Sequence, residues 1–217
     1  MKAAGFSSLL ASITLLLASI TLPASAQPLL YQEGKHYMPV ATEAKTSDPS
    51  KVEVMEVFWY GCAHCNQFRP VFEQWAKQQG DDVDIAHTPA MWSKAMITHA
   101  KVFYTAKALK LQKSMHKEIF DAMHVERKRL TSSKEIFPLF EKHGIDKKTF
   151  DKTFDSFGVK SLVNQANTRA RGYGITGTPE IVVNGKYRVS ARTAGSQSEM
   201  LKVVEFLIQK ERAALKS

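Results

Sequence analysis

The stretch that most restricts how this chain can fold is Val52 to Pro70, VEVMEVFWYGCAHCNQFRP. Val52, Val54, Met55, Val57, Phe58, Trp59 and Tyr60 form a short apolar run, interrupted only by Glu53 and Glu56. Such a run suits a central parallel strand covered on both faces. Gly61 ends it. Beyond Cys65 the apolar positions Phe68, Val71, Phe72, Trp75 and Ala76 fall three or four apart, which is the face of a helix. Pro70 lacks an N–H, so it kinks that helix or marks an irregularity in it. The only two cysteines of the chain, Cys62 and Cys65, therefore stand where a buried strand runs into a helix.

That position has chemical consequences. A helix beginning near Cys62 aims unpaired N–H groups and its positive dipole end at the first sulfur. The thiolate is favoured there and its pKa should fall. His64, as a cation or a donor, is expected to stabilise the same anion. A well-stabilised thiolate makes the disulfide the less stable form, and the pair an oxidant. Two plainer readings stand beside this one. A disulfide between residues three apart closes a tiny loop and stabilises little as a staple. Zinc would want four ligands, and no second C-x-x-C or H-x3-H accompanies the motif, so no metal site is expected. His36, His64, His87, His99, His116, His124 and His143 are scattered, and most read as surface or internally satisfied residues.

Residues 1–26 read as a cleaved secretory signal. Lys2 supplies the positive start, Leu9 to Leu22 the apolar core, and Ala24-Ser25-Ala26 the cleavage site. The alternative, an uncleaved anchor, has a core short for a membrane span. Removing residues 1–26 of 217 leaves 191, and the net charge falls from +9 to +8 with Lys2. Export places the chain in an oxidising compartment and argues against nucleic acid as the partner of this charge. The densest basic run, Arg127-Lys128-Arg129, reads as a solvated helix end. Two cysteines cannot make a disulfide scaffold, so an apolar core must hold the fold.

Residues 27–90 carry an edge strand near Tyr37–Val40, the central strand, the cysteine helix and a second strand at Val83–Ala86. Residues 91–172 are helical in period. Ile97, Val102, Phe103, Ala106 and Leu109 share one face, and Leu111, Met115, Ile119, Phe120 and Met123 another. Ser132-x-x-Glu135 is a capping box. Asp146 caps a segment holding Phe150, Phe154 and Phe157, and a last helix spans Val159–Ala170. The phenylalanines and methionines read as core. Residues 173–217 carry Gly177-Thr178-Pro179, the runs Glu180–Val183 and Lys186–Val189 joined by Asn184-Gly185, and a closing helix over about Ser196–Ala214. Asn-Gly between two β-type runs is a strong hairpin signal.

The order βαβ, helical insert, X-Pro, ββα resembles the α/β thioredoxin-like fold with an inserted all-helical domain. The chain resembles the DsbA family of periplasmic thiol:disulfide oxidoreductases. The resemblance rests on Glu56-Val57-Phe58 ahead of Cys62-Ala63-His64-Cys65, on Phe68, on Phe157 to Val163, and on Gly177 to Tyr187. It covers nearly all of the mature chain.

The resemblance implies a protein dithiol oxidase without a bound cofactor. Cys62 would form the mixed disulfide with a substrate thiol, and Cys65 would complete the internal disulfide. His64 would stabilise the reduced form. Pro179 would be a cis-proline against the disulfide, with Gly177 and Thr178 beside the substrate strand and Ala63 within the motif. Glu56 would be the buried acid beneath the active site, placed to exchange a proton with Cys65. The substrates implied are reduced exported polypeptides, re-oxidation falls to a quinone-linked membrane partner of the DsbB type, and a monomer is expected. Two positions depart from the family pattern, and a third is variable within it. Ala63 stands where proline is commonest, His87 lies near the place of the lysine that often partners the buried acid, and Thr178 is at a variable position. Two other readings remain. One is an isomerase or reductase on the same fold, although the residues before Val52 are too few for a separate dimerisation domain. The other is a peptide-binding chaperone whose cysteines are incidental.

Overall fold

The computed structural model describes residues 30–215, so the leader expected over residues 1–26 lies outside the described residues. The strands are β1 (Met38–Pro39), β2 (Val52–Phe58), β3 (Val83–Pro89), β4 (Glu180–Val183) and β5 (Tyr187–Ser190). The helices are α1 (Ala63–Ala76), α2 (Lys94–Ala108), α3 (Gln112–His124), α4 (Ser133–Glu141), α5 (Lys147–Phe154), α6 (Phe157–Gly172), α7 (Ala191–Ala194) and α8 (Gln197–Leu215). None of these helices is long and apolar enough to cross a membrane.

One mixed sheet runs in the order β1-β5-β4-β2-β3. β2 is parallel to β3 and antiparallel to β4, and all seven of its residues are buried. Both faces are covered, which is why apolarity along it hardly alternates. Val52 and Val54 pack with Phe68, Phe72 and Trp75 of α1 and with Val203, Val204 and Leu207 of α8. Met55, Val57 and Phe58 pack into a second cluster with Phe103, Ile119 and Phe120 of the helices that lie between β3 and β4. This is the thioredoxin-like arrangement with a helical insert, α2 to α6.

Local chemistry sets the element ends. The side chains of Ser93, Ser132, Asp146 and Ser156 accept N–H groups at the starts of α2, α4, α5 and α6. At α4 the expected reciprocal contact from Glu135 goes to Thr131 rather than to the Ser132 backbone. The first helix runs through Pro70 from Ala63 to Ala76. Three apolar-face assignments are corrected. Phe157 is 86% exposed because it opens α6 instead of closing α5, and Val71 of α1 and Ile97 of α2 are 47% and 45% exposed.

The Asn184-Gly185 turn has φ of 51° and 66°, the left-handed pair that a tight hairpin needs. A Cβ on Gly185 would stand 2.2 Å from the Ala44 carbonyl oxygen. Gly185→Ala is therefore expected to cost more than ~2 kcal/mol, from the left-handed φ and the displaced backbone together. Urea unfolding of the variant measures this directly.

Candidate functional site

Cys62 is the N-cap residue of α1, and its half-buried thiol lies at the end of β2. The Cys62 thiol donates to the Thr178 carbonyl at 3.3 Å, so the strand end and the loop before β4 meet at this sulfur. The Thr178–Pro179 bond is cis. Both cysteines are free thiols. The Cys62 pKa is held down to about 5, first by the hydrogen bond from the Cys65 thiol and then by the Thr178 side chain, against the opposing effect of burial. The backbone N–H groups of Cys65 and His64, in the first turn of α1, favour the same anion. His64 acts here through its amide, and its residue is exposed. The imidazole contribution expected from the sequence is not among the causes of this shift.

Cys65 is fully buried, and its thiol is pushed far up, first by burial, then by the bond it gives Cys62 and by the charge of Glu56. The two sulfurs thus have opposite tendencies, one anionic and reachable, the other protonated and covered. Glu56 is 2% exposed and lies 2.9 Å from His87 Nδ1, its neighbour across β2 and β3.

The remaining expected residues fall around the sulfur. Ala63 is exposed at the first position of α1. His64, Gly177, Thr178 and Pro179 line one open cavity of about 510 Å³, together with Arg192 and Gln197. Gln197 Nε2 also donates to the His64 carbonyl at 3.0 Å.

Three further parts of the site carried no signal that spacing could reveal. Buried Glu180 accepts the N–H of Thr176 at 3.2 Å and of Gly177 at 3.0 Å, and it pairs with Arg188, which holds the loop before Pro179 in place. Arg192 and Gln197 come from the short α7 and the start of α8, remote in sequence from the cysteines. Three histidines of the insert clasp the turn that precedes Cys62. Trp59 Nε1 donates to His99 Nδ1 at 2.9 Å, His124 Nε2 donates to the Tyr60 carbonyl at 2.8 Å, and the Tyr60 hydroxyl lies 3.1 Å from His116 Nδ1. Gly61 is needed in that turn, since a Cβ there would sit 2.3 Å from the Trp59 ring. Burial keeps His116 neutral, with its pKa pushed down to about 3, and the charges of His87 and Arg69 act in the same direction.

A thiol favoured as its anion beside a buried partner, at a strand–helix junction facing a cis-proline loop, defines a thioredoxin-like dithiol oxidoreductase. Comparison with known proteins places it more narrowly. Residues 82–202 match the family model described as DSBA-like thioredoxin domain. The thiol:disulfide interchange protein DsbA of Pseudomonas aeruginosa is 37% identical over 192 residues, covering 88% of this chain and 91% of that protein. The protein of the same name from Azotobacter vinelandii is 38% identical over 201 residues, covering 93% and 94%. The crystal structure of Pseudomonas aeruginosa DsbA superposes with a TM-score of 0.80 at 37% identity, covering 86% of this chain and 97% of that one. The crystal structure of the oxidoreductase DsbA from Xylella fastidiosa does so with 0.78 at 27% identity, covering 83% and 97%. The chain belongs to the DsbA family of thiol:disulfide interchange proteins. It is a thiol:disulfide oxidoreductase.

Proposed function

We propose that this protein oxidises pairs of thiols in exported polypeptides, in the periplasm, through a Cys62–Cys65 disulfide. The observation that carries the reading is the low pKa of Cys62 beside the raised one of Cys65. A substrate thiolate attacks Cys62 Sγ of the disulfide, the S–S bond breaks, and Cys65 leaves and takes up a proton. A mixed disulfide now joins Cys62 to the substrate. The second substrate thiolate attacks the substrate sulfur of that bond, and Cys62 leaves as a thiolate. The substrate has lost two electrons and gained a disulfide, and the pair has become a dithiol.

Each surrounding group has a task in this sequence. The first-turn amides and Thr178 stabilise the leaving Cys62 anion. The buried position of Cys65 keeps it from competing for substrate, and Glu56 beneath it is the group placed to exchange its proton. The cavity along Gly177, Thr178 and Pro179 takes an extended substrate segment beside the sulfur. Re-oxidation requires an acceptor outside this chain, which the family resemblance supplies as a quinone-linked membrane protein of the DsbB type.

Equilibration with glutathione tests the reading. In a buffer with comparable amounts of reduced and oxidised glutathione, the pair should stand mainly as the dithiol. A pair that stays a disulfide under those conditions is a reductase couple, and the oxidase assignment fails.

A further inference from the structure

We propose that Glu56, His87 and His116 form a site for one divalent transition-metal ion, Cu2+ or Zn2+, beneath the redox pair. The three residues come from β2, β3 and α3, and each offers one ligand atom within 4.8 Å of the others. Glu56 is 2% and His116 8% exposed, so this is an interior cluster rather than a patch of surface acids.

Three observations point to an ion. The Glu56 oxygen and His87 Nδ1 are 2.9 Å apart, a separation also suited to two adjacent ligands bound at about 2.0–2.1 Å to one ion, once the shared proton has left. His116 Nε2 is buried and has no hydrogen-bond partner among the described residues. A buried polar nitrogen left in this way normally calls for an occupant. Its other ring nitrogen lies 3.1 Å from the Tyr60 hydroxyl, and such an outer contact fixes the ring of a ligating histidine.

Access and selectivity follow from the surroundings. Both imidazoles line a cavity of about 730 Å³ that also meets Phe72 and Ile85. Lys107, Lys110 and Lys113 stand along it and repel a hydrated cation. That repulsion disfavours Mg2+ and Ca2+, which gain little from nitrogen ligands, and leaves ions for which two imidazoles and a carboxylate compensate. An ion here would neutralise the Glu56 charge that now opposes ionisation of Cys65.

The test uses the tag-free protein with Cys62 and Cys65 joined as a disulfide, so that no thiol can ligate. Cu2+ titration followed by calorimetry and electron paramagnetic resonance should give one saturable equivalent with two imidazole nitrogens bound. His116→Gln and His87→Gln should each weaken binding at least ~10-fold and leave a one-nitrogen signature. His143→Gln, outside the cluster, should change neither. The proposal is overturned by a wild-type protein that binds no Cu2+ saturably. It is equally overturned by a wild-type signature without two nitrogens, which needs no variant to fold, or by binding that both glutamine variants retain in full.

Discussion

Cys62→Ser is expected to abolish oxidation of a reduced two-cysteine peptide, leaving only the uncatalysed background. The chain has two cysteines, so the variant keeps only the buried Cys65, which has no partner with which to form the internal disulfide. Cys65→Ser should behave differently. It keeps the half-buried Cys62, so when offered a substrate disulfide its thiolate attacks one sulfur, the other substrate sulfur leaves as a thiolate, and the mixed disulfide at Cys62 should accumulate because no Cys65 thiol remains to displace it. In Cys65→Ala, which has no donor at this position, the Cys62 thiolate should titrate higher than in the parent, since the hydrogen bond from Cys65 is the leading cause of the shift. Non-reducing gels and mass spectrometry of the trapped adducts separate the two variants. Adducts on Cys65 of Cys62→Ser at a comparable rate would refute the assignment of the outer sulfur.

The second large effect concerns pH and redox state together. The Cys62 thiol has a pKa of about 5 in the folded dithiol form, against 9.0 when unperturbed. Between these values the unfolded chain binds a proton at this sulfur and the folded one does not, so stability rises with pH. The stabilisation is fully present above pH 9 and is lost as pH falls through about 5. Cys65, shifted upward, adds no slope inside this window, since its thiol stays protonated in both states until the unfolded value is reached. The disulfide form has no thiol to titrate. The unfolding free energy of the reduced protein minus that of the oxidised protein should therefore grow from pH 5 towards pH 9. Every tenfold difference in acidity between the folded and unfolded thiol corresponds to about 1.4 kcal/mol. Cys62 is only half-buried, and solvent screening reduces the total to about 2–3 kcal/mol. Urea unfolding of both redox forms across that range measures the difference. A difference that does not change with pH would remove the physical basis for an oxidising pair. Cys62→Ser, which has no outer thiol to ionise, should lack the slope that the reduced parent shows.

Much of this molecule was legible in its sequence because the informative signals were local. The apolar run of β2, the change of period after Cys65 and the Asn184-Gly185 turn each depend on residues within a few positions of one another. Where local signals competed, the sequence pattern misled. Phe157 follows Phe150 and Phe154 as if it were a third core phenylalanine, yet Ser156 caps a new helix immediately before it, and the ring faces solvent. Ile97 fits an apolar face whose inner side is taken by Met96, Ala100 and Phe103.

The sequence by itself determined the order of strands and helices, the strand–cysteine–helix junction and the hairpin, since chain stiffness, turn geometry and hydrophobic period act over short distances. Only the tertiary structure decided that Glu56, His87 and His116 meet in the interior, that Glu180 holds the loop before Pro179, and that His99, His116 and His124 brace the turn ahead of Cys62. Those groups are brought together by the packing of the helical insert and the second hairpin against β2 and β3. No spacing rule along the chain encodes it, because burial and partner choice are settled only when both faces of the sheet are covered.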